Sequence, residues 1–489
     1  MRKLIFLFYI TLSITLCAQP KINWGDIQTN NHTGSDYLGV KTEDDQNLYM
    51  LKKDHVANEH NTWYLECISK QAKKIVYSKP LLIPNTPDKK LVKWNTIVTI
   101  SNKLYLLSSY YDNTGLFNVY ASDINTSTGD IQTTKLIYTT TVYTKKTPTF
   151  HYTFSPDKSK MLICPVPFDL QNSEAKIVDE NMQDVWKGII TIPVLLSPLH
   201  FFELIMDNGG DIGIYNVYYT QDNTPVDPLI ILYNTATERG NVLNVAVPSE
   251  YILYSETLKL YQHNKLYFAA FLCDTSSSGR TAGMISAFVD LEKQEYLNAQ
   301  SVIFDKQKAN ELVSVGKRGG GFFLGLYFIK NIFFRPNGTI TLLAEQEGYD
   351  VYDYEYFSNL TFACNLTVRG YINWLTLIPK YQTHAVKEYL GFATGYDDNN
   401  IYLVFNDNYK NANITGNDSP RCMDNLNKCV TVMVSVDDYG TSKKQVFYSE
   451  DEASYLSIKP ILCSKLKNNQ LLLFAEKENA IRLGEVLLK

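Results

Sequence analysis

The segment Ser101-Asn102-Lys103-Leu104-Tyr105-Leu106-Leu107 contains the pattern on which the chain is built. A polar turn, whose Asn tolerates positive φ, is followed by a short apolar strand. The pattern occurs eight times, and the second residues of its strands are Leu48, Leu104, Met161, Ile214, Leu266, Ile340, Ile401 and Leu471. Successive occurrences are 52 to 74 residues apart. This regular return predicts one repeat domain rather than several unrelated domains.

Further apolar segments flank each occurrence. Around Leu104, one segment precedes the turn (residues 96–100) and two follow the strand (residues 117–120 and 134–138). The later segments alternate apolar and polar residues, which is typical of strands with one buried face. Three to four antiparallel strands per unit predict an all-β fold, a β-propeller of eight blades, with seven blades as the alternative. A parallel β-helix would need a shorter repeat, and TPR or HEAT arrays would need helical periodicity.

The last unit has only three candidate strands, at residues 461–464, 470–475 and 482–488. The segment Lys21-Ile22-Asn23-Trp24-Gly25-Asp26-Ile27 offers a fourth. We therefore expect the N- and C-terminal strands to share one blade, because this pairing closes the ring and removes an open sheet edge.

The composition agrees with a large β protein and argues against nucleic-acid binding. Of the 489 residues, 45% are hydrophobic and 20% are charged, as in ordinary globular proteins. The chain contains 35 Tyr and 23 Phe, which favour half-buried pleated surfaces. The formal net charge is −5, so the chain lacks the positive field that attracts phosphate backbones.

Residues 1–18 have the features of a secretory signal peptide. Arg2 and Lys3 precede an apolar run of thirteen residues at 4–16, and the small residue Ala18 offers a cleavage position. As a helix, such a run spans only about 20 Å, which is less than the roughly 30 Å hydrocarbon core of a bilayer. A signal peptide is therefore expected here rather than a membrane anchor.

The mature chain is expected to be one propeller domain, residues 19–489, because no later apolar run is long enough to span a membrane. We expect it in the periplasm, at the outer membrane or outside the cell. Lipidation of Cys17 is not expected, since Leu16 precedes it and lipidated cysteines resemble one another in following Gly, Ala or Ser.

Seven cysteines follow the signal peptide: Cys67, Cys164, Cys273, Cys364, Cys422, Cys429 and Cys463. None of them forms a C-x-x-C pair, so zinc ribbons and thioredoxin-type redox motifs are not supported. Most lie in apolar runs and are expected to be small core residues. Cys422 and Cys429 instead flank a polar loop, which makes them the candidates for a disulfide in an exported protein.

The sequence lacks the motifs of common catalytic centres. It contains no G-x-S-x-G, H-E-x-x-H, Walker A or dinucleotide-binding fingerprint. The glycines at 319–321 lack the strand and helix of a phosphate-binding loop, and His55 and His60 lie in a polar turn. We therefore expect no catalytic residues, metal or cofactor, and a protein that binds rather than catalyses.

The first candidate site combines tyrosines with acids. Residues 349–356 (YDVYDYEY) contain Tyr352 and Asp353, and Glu345 shortly precedes them. Tyrosine rings can stack on sugars, and the carboxylates can ligate Ca²⁺, a hard cation that takes oxygen ligands. The alternative is an exposed polar hairpin without a ligand.

The second candidate site combines residues that follow apolar strands. Its members are Trp374, Lys380 and Gln382, together with Asn406, Asp407, Asn408 and Asn411. Amide oxygens and a carboxylate in one place can bind a cation or the hydroxyl groups of a saccharide. Alternatively, Asn and Asp side chains cap their own turns by accepting backbone hydrogen bonds.

Several phrases resemble known propellers. Residues 154–158 (FSPDK) are similar to the F-S-P-D-G hairpin of TolB-like and WD40-like propellers, with Lys158 in place of Gly. Other segments resemble a secreted propeller family of Bacteroidota without assigned activity: residues 179–186 (DENMQDVW), 370–374 (GYINW), 378–382 (IPKYQ), and 405–408 (FNDN) with Asn411. The resemblance implies a propeller fold and export into an envelope. It implies no reaction and supplies no catalytic residues.

Three functions are compatible with the sequence. The first is a non-catalytic binding or scaffold propeller whose partner is an unknown protein or glycan. The second is a glycan-active enzyme, which would need Glu345, Asp353 or Asp407 to converge near the central channel. The third is a structural envelope component that works through oligomerisation, for which a large exposed apolar patch would be expected.

Overall fold

The computed structural model describes most of the chain. The described residues are 22–29, 36–54, 62–81, 93–112, 114–141, 149–166, 172–191, 201–219, 225–262, 264–274, 280–305, 312, 327–412, 414, 420–447, 457–466, 469–477 and 480–488. The signal peptide expected at 1–18, the histidines 55 and 60, and the glycines at 319–321 lie outside these ranges. Within the described part, no helix has the length and apolarity needed to span a bilayer.

Eight antiparallel sheets of four strand positions each form the fold. Blade 1 consists of β3 (Asp36–Glu43), β4 (Asn47–Asp54), β5 (Thr62–Ser69) and β6 (Lys74–Pro80), and blade 2 consists of β7 (Lys93–Ile100), β8 (Lys103–Tyr111), β9 (Leu116–Ile124) and β10 (Ile131–Thr141). Blade 3 consists of β11 (Thr149–Phe154), β12 (Lys160–Val166), β13 (Asn172–Asp179) and β14 (Asp184–Thr191), and blade 4 consists of β15 (Phe201–Met206), β16 (Ile212–Tyr219), β17 (Pro225–Asn234) and β18 (Arg239–Asn244).

Blades 5 to 8 follow the same order. Blade 5 consists of β19 (Tyr251–Gln262), β20 (Lys265–Asp274), β21 (Thr281–Asp290) and β22 (Glu295–Ile303), and blade 6 consists of β23 (Phe328–Phe334), β24 (Ile340–Asp350), β25 (Glu355–Leu366) and β26 (Ile372–Ile378), with β27 (Gln382–His384) paired to β25. Blade 7 consists of β28 (Ala393–Tyr396), β29 (Asn400–Asn408), β30 (Cys429–Asp437) and β31 (Ser442–Phe447). Blade 8 consists of β32 (Ser457–Ile458), β33 (Ser464–Leu466), β34 (Gln470–Lys477) and β35 (Ala480–Leu487), together with β1 (Ile22–Trp24) and β2 (Gln28–Thr29). Among the described residues, short 3₁₀ helices occur at Lys387–Tyr389, Tyr409–Asn411, Leu426–Lys428 and Pro460–Leu462.

The repeated strands of the sequence are the second strands of the blades. They are β4, β8, β12, β16, β20, β24, β29 and β34, and each pairs on both sides with a strand of its own blade. First strands of successive blades contact each other, as β11 does with β15 and β15 with β19, which places them around the axis of the ring. The predicted β-propeller is therefore confirmed, with eight blades rather than seven.

The hydrophobic core is divided among the blade interfaces. Each of the eight clusters formed by the described residues lies between two successive blades. Between blades 1 and 2, for example, Tyr49 and Leu51 pack against Leu104 and Leu106. Second strands are buried on both faces for this reason, which explains their continuous apolar sequence.

The ring is closed by the two ends of the described chain. Ile22 and Trp24 of β1 pair with Val486 and Gly484 of β35, and β2 continues the pairing. The indole of Trp24 lies against Gly484, where a Cβ would come within 2.5 Å of the ring. The predicted pairing of the N-terminal segment with the last blade is confirmed, but the strand covers only Ile22–Trp24 of residues 21–27 and resumes at Gln28–Thr29.

The first strand of blade 8 differs from the prediction. A strand was expected at 461–464, but Pro460–Leu462 form a 3₁₀ turn, and the strand is split into β32 and β33. Proline has no N–H to donate and its φ suits a helical turn, so the strand is interrupted where Pro460 stands.

Each blade has two ends with different connections. The turns from the first to the second strand and from the third to the fourth strand lie at one end, which we call the turn face. The connections from the second to the third strand and from each blade to the next lie at the other end, which we call the crossover face.

The turns before the fourth strands join neighbouring blades. In blades 1 to 7 the last or next-to-last turn residue has positive φ: Lys73, Gly129, Met182, Glu238, Gln294, Gly370 and Gly440. Lys73 forms an ion pair with Glu485 of the preceding blade at 3.1 Å, and Gln294 donates to the Arg239 carbonyl at 3.0 Å. Gly440 instead lies under Trp374, since a Cβ there would be only 2.7 Å from the indole.

Candidate functional site

A hairpin with exposed tyrosines extends from blade 6 at the crossover face. We call residues 349–356, which join β24 to β25, the tyrosine hairpin. Tyr352 is 85% exposed, Tyr354 is 74% exposed and Val351 is 63% exposed. The carboxylate of Asp350 accepts hydrogen bonds from the backbone N–H groups of Tyr352 and Asp353, at 2.8 and 3.3 Å. This turn is therefore shaped by its own side chain.

A third strand supports the base of the tyrosine hairpin. β27 pairs with β25, so that His384 lies opposite Tyr356 and Gln382 lies opposite Ser358. The rings of Tyr349 and Tyr356 lie with centroids 4.8 Å apart across the hairpin. Three paired strands and a ring contact make the hairpin a firm extension of blade 6.

A buried ionic cluster lies beneath this base. We call Glu345, Ser358, Lys380 and Gln382 the Lys380 cluster. The Lys380 ammonium forms an ion pair with Glu345 and donates to Ser358 Oγ at 2.6 Å and to Gln382 Oε1 at 3.2 Å. Ser358 donates in turn to Glu345 at 2.7 Å. All four side chains are buried, and the three ammonium hydrogens each have an acceptor.

The electrostatics of Lys380 are set by two opposing causes. Burial lowers the pKa of Lys380, while the carboxylate of Glu345 acts in the opposite direction. The ammonium also lies 5.4 Å from the ring centre of Phe392 and 5.7 Å from that of Phe405. Lys330, on the first strand, approaches the other carboxylate oxygen of Glu345 at 3.9 Å. The cluster can hold a charge in the interior because that charge is paired.

Ser358 and Lys380 have the residue types of a Ser–Lys nucleophile pair. Ser358 is only 2% exposed and Lys380 is only 1% exposed, so neither presents a reacting atom to a substrate. Ser358 also gives its hydrogen to Glu345. The Lys380 cluster therefore links the base of the tyrosine hairpin to the chain between β26 and β27, and Ser358 is not placed to act as a nucleophile.

Asn406 extends this network to blades 7 and 8. Its side chain is fully buried and donates to the carbonyl oxygens of Tyr389 at 2.9 Å and of Ile458 at 2.8 Å. Gln382 donates to the Asn406 carbonyl at 2.5 Å. The backbone carbonyl of Asn406 is thus linked to blade 6, and its side chain to the segment before blade 7 and to blade 8.

Asp407 and Asn408 belong to a different set of contacts. Asp407 forms an ion pair with Lys444 at 2.6 Å and accepts a hydrogen bond from Asn411, also at 2.6 Å. Asn408 accepts from the backbone N–H of Lys410 at 3.0 Å and donates to the Cys422 carbonyl at 2.7 Å. These side chains hold the end of β29 and the connection after it, as expected for capping residues.

The predicted site residues therefore fall into separate groups. Glu345, Lys380 and Asn406 are joined through Gln382 in the interior, whereas Tyr352 and Asp353 lie at the exposed hairpin. Trp374 lies apart at the turn face, where its indole N–H donates to the Asp438 carbonyl at 2.8 Å. Ser358 and Lys330 were missed, because their link to Glu345 depends on the register of three strands.

The acids expected for a glycan-active enzyme do not converge. Glu345 and Asp407 are each buried in an ion pair with a lysine, and Asp353 lies at the exposed hairpin. Nowhere in the described ranges do three or more His, Cys, Asp or Glu side chains form a group that could hold a metal ion. The described carboxylates therefore give no support to a calcium site at the hairpin.

The candidate disulfide between Cys422 and Cys429 is not formed. Both are free thiols, and each has its own polar neighbour. The Cys422 sulfur lies 3.4 Å from Thr383 Oγ1, on the side of blade 6, whereas the Cys429 sulfur lies 3.2 Å from Ser457 Oγ, on the side of blade 8. The two thiols therefore face different neighbouring blades, which sequence spacing did not show.

Comparisons with known proteins find likeness only among solved structures. No protein-family model and no curated protein sequence matches the chain. The chain is similar to the Dos1 propeller, with 10% identity and a TM-score of 0.48, covering 95% of this chain and 94% of that one. It is also similar to the WD40 domain of SCAP from fission yeast (9% identity, TM-score 0.41, 94% and 97% covered) and to a europium-containing methanol dehydrogenase (9%, 0.43, 95% and 93%). At these identities the likeness assigns no activity to the chain.

Proposed function

We propose that this chain is an exported, non-catalytic β-propeller that binds a protein or glycan partner through the tyrosine hairpin. The exposure of Tyr352, Tyr354 and Val351 at the end of one hairpin is the observation that carries the proposal. Tyrosine supplies a large, rigid contact area and a hydroxyl group, and it is enriched at binding surfaces. Sugars and proteins are both bound by such rings.

The support beneath the hairpin favours binding as well. β27 and the Lys380 cluster hold the base of the hairpin, and Asp350 shapes its turn. An aromatic surface that is ordered before binding loses less conformational entropy when the partner arrives. A buried ion pair adds little net stability, because desolvation of its charges offsets their attraction. Its position under the tyrosine hairpin is therefore better explained by a need to fix the orientation of the hairpin.

Export is part of the same proposal. It is supported by the basic, apolar and small-residue segments of residues 1–18 and by the resemblance of several phrases to secreted propellers of Bacteroidota. The partner would then be a protein or glycan of the cell envelope or its surroundings.

The test compares two sets of exposed tyrosines. The mature chain, residues 19–489, is immobilised as wild type, as Tyr352→Ala/Tyr354→Ala and as Tyr439→Ala, and is exposed to a glycan panel and to envelope proteins. Tyr439 is 87% exposed but lies at the turn face, so it controls for general tyrosine stickiness. We expect the hairpin variant to lose retention at least about tenfold, since hot-spot aromatics contribute about 2 kcal/mol or more.

Two results would contradict the proposal. Equal retention by the wild type and the hairpin variant would show that the hairpin does not bind the partner. If the wild type retains no glycan or protein above the level of a denatured sample, the proposed binding function is wrong. Circular dichroism of each variant verifies that the blades are intact.

A further inference from the structure

A polar cavity opens between blades 1 and 2 at the turn face. Its volume is about 490 Å³, which lies within the range of small-molecule pockets. Blade 1 contributes Asp44, Asp45 and Gln46 from its first turn, and blade 2 contributes Asn102, Thr126 and Ser127 from its two turns. We call this cavity the 1–2 gap. It lies at the end of the ring opposite the tyrosine hairpin, so what is inferred for it does not depend on the function proposed for that hairpin.

The corresponding gap between blades 6 and 7 contains a guanidinium group. Arg335 is the first residue of its turn, and its side chain is buried. Its Nε and Nη2 donate to one carboxylate oxygen of Asp438, at 3.1 and 2.5 Å. Its Nη1 donates to the carbonyl oxygens of Asp397 and Asn400, both at 3.4 Å. One planar cation thus joins both turns of blade 7 to blade 6.

In the 1–2 gap an acid stands where blade 6 has this arginine. The Asp44 N–H donates across its turn to the Asn47 carbonyl at 3.0 Å, just as the Arg335 N–H donates to the Thr339 carbonyl at 2.8 Å. The two residues therefore occupy the same position of the repeat. Blade 1 supplies a carboxylate there, and the neighbouring turns supply amide, hydroxyl and carbonyl groups.

The carboxylates of the 1–2 gap are held in place. Asp44 accepts from the backbone N–H groups of Gln46 and Asn47 at 2.7 Å and from the Tyr49 hydroxyl at 2.5 Å. Asn102 of blade 2 donates to Asp45 at 3.3 Å. The acceptors are thus ordered before any ligand arrives, which favours binding.

The charge of Asp44 extends into the gap. Burial and the charge of Asp44 raise the pKa of Cys67, which lines the gap, to about 11, with the hydrogen bond to Tyr77 acting in the opposite direction. The ammonium of Lys70 is held by Glu43 at 2.7 Å and by the Asp44 carbonyl at 2.6 Å. The described residues that line the cavity include two aspartates and no lysine or arginine.

We propose that the 1–2 gap binds the guanidino group of a ligand, either free arginine or an arginine side chain of a peptide. A guanidinium presents five N–H donors in a planar fork, which matches the carboxylates of blade 1 and the amide and hydroxyl oxygens of blade 2 that line the gap. The ligand would take the place that Arg335 occupies between blades 6 and 7. No sequence motif predicts such a site, because Asp45 and Asn102 lie in two turns that are 57 residues apart in the chain.

The test compares L-arginine with a neutral ligand of the same shape and with a peptide that carries the same guanidino group. The thermal shift and binding heat of the full mature chain are measured with L-arginine, with its neutral isostere L-citrulline, and with acetyl-Gly-Arg-Gly-amide. We expect L-arginine or the peptide to bind and L-citrulline not to bind. Binding of the peptide alone would identify a protein as the source of the guanidino group, and binding of free L-arginine would identify a small molecule.

Two variants locate the site. Asp45→Asn is expected to weaken binding at least about tenfold, since a charge-assisted hydrogen bond is lost. Ser127→Arg places a guanidinium inside the gap and is expected to raise the melting temperature and abolish the response to L-arginine. Asp398→Asn is the matched control, because Asp398 has the same position in blade 7 as Asp45 has in blade 1.

The proposal would be overturned by any of three results. These are equal shifts with L-citrulline and L-arginine, binding that Asp45→Asn leaves unchanged, or a calcium-dependent shift without a response to any guanidino ligand. The Ser127→Arg variant keeps the test decisive if Asp45→Asn fails to fold.

Discussion

At the scale of single residues, Lys380 is a charge placed in the interior and matched there by Glu345. Its ammonium has an acceptor for each hydrogen, so the interior position does not leave a bare charge. Such a pair adds little net stability compared with apolar residues, but it is intolerant of the loss of one partner. It thereby fixes which strands meet under the tyrosine hairpin.

Replacing Lys380 alone should therefore be costly. In Lys380→Met the carboxylate of Glu345 stays buried without its ammonium, and we expect a loss of about 3–5 kcal/mol in the free energy of unfolding, measured with urea. Lys79→Met removes an exposed pair with Asp130 and should cost less than about 1 kcal/mol. The double variant Lys380→Met/Glu345→Leu should recover most of the loss. Equal losses for the Lys380 and Lys79 variants would contradict the role of burial.

The residue scale is also where the sequence was least informative. Glu345, Lys380 and Asn406 were all candidates, but their partners are set by strand register, which a single sequence does not contain. Asn406 and Asp407 are neighbours in the sequence, yet adjacent strand residues point to opposite faces, so they enter different networks. Residue type alone could not show which of these groups pair with one another.

At the scale of elements, the fourth-strand turns are the repeated device that joins blades. Their positive φ position recurs in blades 1 to 7, occupied by Gly in some blades and by long side chains in others. Where the preceding blade offers a large ring, as with Trp374, glycine provides the space. Where it offers a charged group, as with Glu485, a long side chain such as Lys73 reaches it.

The close approach at Gly440 can be separated from its backbone conformation. Gly440→Ala must place a Cβ 2.7 Å from the indole of Trp374, whereas Gly115→Ala, also at positive φ, meets nothing within 4 Å. We expect Gly115→Ala to cost about 1–2 kcal/mol from backbone strain alone, and Gly440→Ala to cost about 1–3 kcal/mol more. Urea unfolding of both variants measures the difference. If the two losses agree, the ring contact contributes nothing.

Elements were the level at which prediction succeeded. The apolar second strands and their Asn- or Asp-containing turns are local features, so the pattern around Leu104 could be followed through eight blades. The exception, Pro460, interrupts a strand that apolar residues alone would favour. Cys422 and Cys429 were candidates for a disulfide because they are close in sequence, but spacing alone could not show that their thiols face different neighbouring blades.

At the scale of the whole molecule, stability depends on eight interfaces arranged in a ring. Each apolar cluster belongs to two blades, so no blade has a core of its own. The cluster between blades 8 and 1 is formed by residues of both ends of the ring, such as Leu48 and Leu472, while Ile22 of β1 packs in the cluster between blades 7 and 8. A hydrogen bond from Arg482 Nε to the Gly25 carbonyl, at 2.9 Å, joins the two ends of the chain.

Removing residues 19–29 should open the ring. Burying one Ile side chain contributes about 1.5–3 kcal/mol, so losing Ile22 together with the half-buried Trp24 should lower the free energy of unfolding by at least about 2 kcal/mol. The exposed edge of β35 should then pair between molecules, giving association that depends on concentration in analytical ultracentrifugation. A monomer of unchanged stability would show that the closing strand is dispensable.

Alkaline pH should also loosen the ring. Burial raises the pKa of Tyr105 and of Tyr296 to about 12, from 10.0. Because the folded protein holds these protons more tightly, their contribution to stability is complete below pH 10 and is lost between pH 10 and 12. Their hydroxyls donate across blade interfaces to the carbonyls of Glu180 and Asn244, at 2.8 and 2.9 Å. Urea unfolding from pH 8 to 12 should therefore show a fall that begins near pH 10.

The tyrosine variants test that assignment. Tyr105→Phe/Tyr296→Phe should begin less stable but lose less stability across the same range, whereas Tyr439→Phe, at an exposed position, should follow the wild type. A double variant as steep as the wild type would place the titration elsewhere.

The pairing of β1 with β35 has a consequence for how the protein is made. A ribosome synthesises Trp24 long before its partner Gly484, so of the described strands β1 waits longest for its partner. The other seven sheets take their strands from consecutive stretches of chain, but the sheet of blade 8 cannot be completed until β35 has been made. Until then β1 stays unpaired, and a translation product that stops before β35 cannot close the ring.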